Sequence, residues 1–134
     1  MILTQADFLK NLKYDEHGLI AAVVQDITNN QVLMVGYMNK EAVAKTLKGP
    51  FVTFYSRSRQ KMWVKGESSG HTQEVCEIYY DCDADCLLIK AKQNVAACHV
   101  GYRSCFYRKY DFVSQLVSIV GEKLFEEEKV YSKK

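Results

Sequence analysis

Residues 19–37 read LIAAVVQDITNNQVLMVGY, two apolar runs held apart by the turn residues Thr28, Asn29 and Asn30. Runs this short and this close together fold as a β-hairpin, because each supplies the backbone partners the other needs. That hairpin commits the first part of the chain to a sheet. The remaining elements have to be fitted around it.

A short helix precedes it. Thr4 can cap that helix with Asp7 three residues on, and Phe8, Leu9 and Leu12 give it an apolar side. After the hairpin, Asn39 caps KEAVAKTLK, and Gly49 followed by Pro50, the single proline, stops it. From there the chain reads as β through FVTFYSRS (51–58), MWVK (62–65), QEVCEIYY (73–80) and LLIKAK (87–92), interrupted by the loop GESSGHT (66–72). The segment DFVSQLVSIVGEKLF has helical spacing at Phe112, Leu116, Ile119, Val120 and Leu124, which predicts a C-terminal helical tail over 111–128. The expected architecture is α+β: a largely antiparallel β-sheet core with short flanking helices, one domain over 1–134.

Composition narrows the function classes. At 134 residues the chain can bury its own core, and 48% hydrophobic with 25% charged residues is ordinary for a globular protein. A formal net charge of +2 argues against a general binder of nucleic acid polymers. Charged or polar residues interrupt every apolar run before it reaches membrane-spanning length, and the N-terminus lacks a signal pattern, so a cytoplasmic protein is expected. Five cysteines, an odd number, fit a disulfide framework poorly and point to buried, catalytic or metal-bound thiols.

Three stretches carry candidate chemistry. DCDADC (81–86), if it continues the preceding strand, puts Asp81, Asp83 and Asp85 on one face and Cys82 and Cys86 on the other. Carboxylates suit magnesium, calcium or manganese, and thiolates suit zinc. An EF-hand is excluded, because Cys86 and Lys92 stand where it needs glycine and glutamate. The bland reading is a polar turn with aspartates as local caps. Downstream, AACHVGYRSCFYR (96–108) holds Cys98 and Cys105. With one more thiol, such as Cys82, they make a three-thiolate zinc set whose fourth position is open to water, as in catalytic sites. The alternative is buried free cysteines. His99, beside Cys98, is a fourth ligand, a proton shuttle or an ordinary turn histidine. Finally, Arg57, Arg59, Lys61 and Lys65 lie close in sequence, with Tyr55 and Trp63 interleaved. On a strand, Arg57, Arg59 and Lys61 share a face, a pattern suited to a phosphorylated nucleotide or to a solvated strand edge.

Taken together, VLMVGYMNKEA, FVTFYSRSRQKMWVKGESSGHTQ, YYDCDADCLL and ACHVGYRSCFYR resemble the successive signature blocks of the phosphoribosyl-AMP cyclohydrolase family, over roughly residues 18 to 108. The resemblance implies a hydrolase of histidine biosynthesis that opens the adenine ring of N1-(5-phosphoribosyl)-AMP between N1 and C6. It implies zinc and magnesium as cofactors, and a homodimer with zinc ligands contributed across the interface. Cys82, Cys98 and Cys105 match the zinc ligands, and Asp81, Asp83 and Asp85 the magnesium ligands. His99 is the expected proton donor to N1. Arg57, Arg59 and Lys65 are expected at the phosphates, and Trp63 near the base. Departures from the family pattern stand at Ala21, at Val95 and Ala96 in place of Gly-Pro, and at Val100 in place of threonine; Cys86 is an extra thiol outside the ligand set. About 26 residues follow Arg108, too few for a second catalytic domain, so the cyclohydrolase step alone is expected.

Two other functions compete. A zinc base deaminase would need H-x-E and P-C-x-x-C, and neither is present. A zinc-stabilised nucleotide-binding module would close its metal with a fourth protein ligand, such as Cys76 or Cys86.

Overall fold

The computed structural model describes residues 2–126. The Thr4 cap forms as expected: its hydroxyl accepts from the Asp7 amide, the Asp7 carboxylate accepts from the Thr4 amide, and α1 runs Gln5–Asn11. The hairpin follows as β1 (Ile20–Asp26) and β2 (Val32–Met38). Asn39 Oδ1 accepts from the Ala42 amide at 2.8 Å and starts α2 (Lys40–Lys48), which ends where the Gly49 amide donates to the Lys45 and Thr46 carbonyls. Next come β3 (Thr53–Ser56), β4 (Lys61–Val64), β5 (Gln73–Tyr80) and β6 (Cys86–Gln93).

The main sheet has the order β2-β1-β6-β5. Its outer pairs are antiparallel, and β1 and β6 at the centre run parallel. Side chains alternate along β1, so Ile20, Ala22 and Val24 are buried in one row. Leu87, Ile89 and Ala91 of β6 extend that row, and Val43 of α2 with Val52 and Phe54 close over it. Each fully buried Val, Leu, Ile or Phe side chain among them contributes about 1.5–3 kcal/mol. Gly36 of β2 lies directly against the Phe54 ring, where a Cβ would sit 2.6 Å from two ring carbons. The β3–β4 hairpin is joined to β5 by backbone bonds from the Val52 amide to the Gln73 carbonyl and from the Val75 amide to the Pro50 carbonyl. Among the described residues, no helix is long and apolar enough to cross a membrane.

Three local expectations are corrected. The apolar spacing after residue 110 does not make a helix. Instead β7 (Arg108–Tyr110) and β8 (Val117–Ile119) form a hairpin. Its turn is set by Asp111, whose carboxylate accepts from the Ser114 amide at 2.7 Å, and by Gln115 at positive φ; beyond β8, Gly121 also has positive φ, and an α-helix accommodates neither. Residues 127 and 128 of the expected helix lie outside the described part. Second, 81–85 are a turn between β5 and β6, not a strand. Third, Arg57 and Arg59 lie in the β3–β4 turn with Gln60 at φ 52°, so Arg57, Arg59 and Lys61 do not share a strand face.

Candidate active site and metal centres

A cleft of about 400 Å³ opens beside the β3–β4 hairpin. Ser56, Ser58 and Arg59 reach it from the end of β3 and the turn, Trp63 from β4, and Lys65 from just beyond. Trp63 is fixed by its cross-strand partner Phe54, with ring centroids 5.0 Å apart. Glu67, Ser68 and Ser69 form the opposite wall. They are placed by Gly66, whose φ of 84° lets the chain fold back so that the Gly70 amide bonds the Gly66 carbonyl at 2.7 Å. A Cβ there would meet the His71 backbone at 2.4 Å, so the turn requires glycine. Asn94 Nδ2 donates to the Gly70 carbonyl at 2.7 Å and ties this loop to the end of β6. His99 lines the cleft from the other side.

His99 stands in a tight loop that also carries the two downstream cysteines. The Ala97 amide bonds the Arg103 carbonyl at 2.9 Å, the Cys98 amide the Tyr102 carbonyl at 3.1 Å, and the Gly101 amide the Cys98 carbonyl at 3.1 Å. The Cys105 amide then bonds the Leu33 carbonyl of β2 at 2.7 Å, and Ser104 Oγ donates to the Val32 carbonyl at 2.7 Å. The loop thus brings Cys98 and Cys105 side by side. Cys98 is buried. Cys105 keeps an edge in solvent, yet burial of its thiol, and Cys98 beside it, push its pKa up to about 11. Lys65 is the cation at this pair: its ammonium donates to the Ala97 carbonyl and sits 5.6 Å from the Trp63 ring centre. Burial lowers the Lys65 pKa, and the thiols of Cys105 and Cys98 oppose that. A Cys105 thiol held protonated beside a second thiol is part of a donor set that a thiolate-binding divalent cation would favour.

The aspartates converge as well, though by a turn rather than by strand alternation. Asp81 Oδ1 accepts from the Asp85 and Cys86 amides at 3.0 and 3.2 Å, and Ala84 adopts φ 61°. Carboxylate oxygens of Asp81, Asp83 and Asp85 then lie within 4.8 Å of one another on the surface. The Asp83 hydrogen bond, followed by burial and the Asp81 side chain, raises the pKa of Asp85, as expected where like charges share a site without a cation. Hard carboxylate oxygens so grouped fit magnesium.

The single chain does not bring Cys82 to the other two thiols. Among the described residues, the aspartate triad is the one group of three potential ligands whose donor atoms meet. Cys82 is exposed on the aspartate turn. Cys86 lies in β6 against its own Leu87 carbonyl, apart from the Cys98–Cys105 pair, and Cys76 is exposed on β5. Arg57 also lies outside the cleft, its guanidinium 4.3 Å over the Tyr37 ring. Arg59, Trp63, Lys65 and His99 are gathered in it.

Sequence reasoning missed two parts of the site. One is the hydroxyl-rich wall of Ser68 and Ser69, for which the polar run GESSG was a signal. The other is Asp26, which occupies the next buried position in the row Ile20, Ala22, Val24 and is fully buried. Burial opposes its charge, but hydrogen bonds from Thr28 and Arg103 outweigh that and hold its carboxyl below the usual range. An acid falling in phase with the buried face of a strand was the available sign that a cation lay elsewhere in the chain.

Comparison with known proteins converges on one group. The family model described as phosphoribosyl-AMP cyclohydrolase matches residues 34–107. A protein of that name from Methanosarcina mazei is 54% identical over 121 residues, covering 90% of this chain and 96% of its own. One from Pelotomaculum thermopropionicum is 51% identical over 126 residues, with 94% and 97% covered. Another, from Chlorobaculum parvum, is 48% identical over 131 residues, with 98% and 95% covered.

Proposed function

The chain belongs to the phosphoribosyl-AMP cyclohydrolase family, and from that premise we propose that it opens the adenine ring of N1-(5-phosphoribosyl)-AMP in a zinc- and magnesium-dependent step of histidine biosynthesis, in the cytoplasm. The observation that carries the reading is Lys65: its side chain lines the nucleotide-sized cleft and bonds the residue before Cys98, so the thiol pair borders the cleft.

In the reaction the water oxygen bonds to C6, the N1–C6 bond breaks, and N1 leaves with a proton. N1 ribosylation makes C6 electron-poor and ready for attack. Trp63 offers a flat face for the purine, within a wall stiffened by Phe54. Arg59 and the hydroxyls of Ser56, Ser58, Ser68 and Ser69 suit a 5′-phosphate. His99 reaches the cleft and is the proton donor to N1. Lys65, already bonded to the loop, balances the charge of the thiolates instead of taking a phosphate. Cys98 and Cys105 would hold zinc and Asp81, Asp83 and Asp85 magnesium. Bound there, zinc supplies Lewis acidity and a nucleophile at neutral pH, and magnesium neutralises phosphate charge.

The third thiolate, Cys82, comes from a second copy, since within one chain it stands apart from Cys98 and Cys105. A homodimer also accounts for the C-terminal hairpin, where Phe112 and Val113 are 87% and 93% exposed beside exposed Leu116 and Val117. The test is to incubate purified protein with phosphoribosyl-AMP, zinc and magnesium and to follow ring opening by ultraviolet absorbance. Ring opening is expected. Folded, zinc-loaded protein without turnover overturns the reading.

A further inference from the structure

Every nitrogen of the Arg103 guanidinium is used. Nε and Nη2 donate to Asp26 Oδ2 at 3.2 and 2.7 Å, Nη2 also to the Gln93 carbonyl at 3.3 Å, and Nη1 to the Val95 carbonyl at 2.8 Å. The other carboxylate oxygen of Asp26 accepts from the Thr28 amide and hydroxyl, so the fully buried acid is satisfied on both sides. One side chain therefore joins the end of β1, the end of β6 and the start of the loop that carries the thiols. Through its own carbonyl, bonded by the Ala97 amide, Arg103 also closes that loop. Cys98 follows Ala97 directly, and Cys105 follows Arg103 by two residues.

The loop needs such a hold. Val95, a β-branched residue, adopts φ 60°, in the left-handed region where its side chain crowds the backbone. The Arg103 bond to the Val95 carbonyl holds the peptide that follows this strained residue. Gln93, whose carbonyl Arg103 also takes, donates through Nε2 to the His71 and Thr72 carbonyls behind the cleft wall, at 3.2 and 3.4 Å. The same fork thus connects the thiol loop to both sides of the cleft.

We propose that Arg103 is the positioning residue of the thiol pair: pinned by Asp26, its guanidinium fork fixes where Cys98 and Cys105 stand relative to the cleft. The inference rests on the zinc reading of that pair. Lysine keeps the charge beside Asp26 but has no planar fork with which to serve two carbonyls as well.

The experiment compares wild type, Arg103→Lys and Thr28→Val, the last weakening the support of Asp26 without touching the fork. Zinc affinity is measured by chelator competition, thiol reactivity by a chromogenic disulfide on metal-free protein, stability by thermal melting, and turnover as kcat and KM. Arg103→Lys is expected to bind zinc about 10- to 100-fold more weakly, as for other groups that orient metal ligands. Its thiols react faster, and kcat falls while KM holds. Thr28→Val shifts only the melting temperature. If Arg103→Lys does not fold, Arg103→Lys/Val95→Gly removes the strain, and its zinc deficit remains because the fork is still missing. Wild-type zinc affinity and thiol reactivity in either lysine variant overturn the proposal, as does an equal zinc deficit in Thr28→Val. Wild-type protein that takes up no zinc sinks the metal reading instead, and thiol reactivity then decides the positioning role alone.

Discussion

The aspartate turn and the thiol loop are both candidate metal centres, and they are built in opposite ways. Asp81, Asp83 and Asp85 sit within five residues on an exposed turn that makes its own hydrogen bonds. Cys98 and Cys105 are brought together by a loop that leans on β2, on Lys65 and on an ion pair whose partners, Asp26 and Arg103, are 77 residues apart. A hard-ligand site can be local because exposed carboxylates keep their hydration until a cation arrives. A soft-ligand site whose thiols are partly buried takes its shape from tertiary contacts. Damage to the aspartates should therefore stay local, and damage to the loop should spread.

The sharpest way to separate the two is Cys105→Ala. It should remove zinc and lower turnover by on the order of 1000-fold, about 4 kcal/mol of barrier, while leaving magnesium binding at the turn intact. Parallel titrations of the two metals check this. Next in size is Arg103→Ala, which leaves Asp26 buried with only Thr28 to satisfy it. Urea denaturation should show a loss of about 3–5 kcal/mol at pH 7. Because the folded pKa of Asp26 is depressed, its ion pair contributes fully above the unfolded value of about 3.9 and is lost as pH falls through the folded value. The stability gap between wild type and variant should accordingly narrow below about pH 4.

Gly66→Ala should cost about 1–3 kcal/mol, since its Cβ meets backbone and the site needs positive φ. KM should rise with it, as Ser68 and Ser69 shift. The smallest effect belongs to the turn: Asp83→Asn should raise the magnesium concentration for half-maximal rate about 10-fold without moving the melting temperature or zinc affinity. A variant of the three aspartates that lowers zinc affinity, or a variant of Cys98 or Cys105 that spares it, would break the contrast.

Legibility in the sequence followed the same divide. Thr4 with Asp7, Asn39 ahead of α2, and the turn at 28–30 could be read because each acts within a few residues of itself. The aspartates were read as a group for a reason that fails, strand alternation, when a turn gathers them. The helical spacing of Phe112, Leu116 and Ile119 misled because spacing alone does not register the Asp111–Ser114 turn or the positive φ of Gln115. The cleft residues Arg59, Trp63, Lys65 and His99 were recognisable by type. Arg57 was not separable from them, since its stacking on Tyr37 depends on how β2 and the β3–β4 turn meet. Nothing local tells Asp26 that its counter-ion is Arg103.

The parallel pairing at the centre of the sheet bears on the order of folding. β1 can form its hairpin with β2 as soon as both exist, but β6, its other neighbour, is reached only after the whole middle of the chain has been made. Asp26 waits longer still for Arg103. Until that contact forms, the carboxylate has only its local bonds from Thr28 to offset leaving water. Because the thiol loop leans on that pair, zinc capture during refolding should trail formation of the sheet.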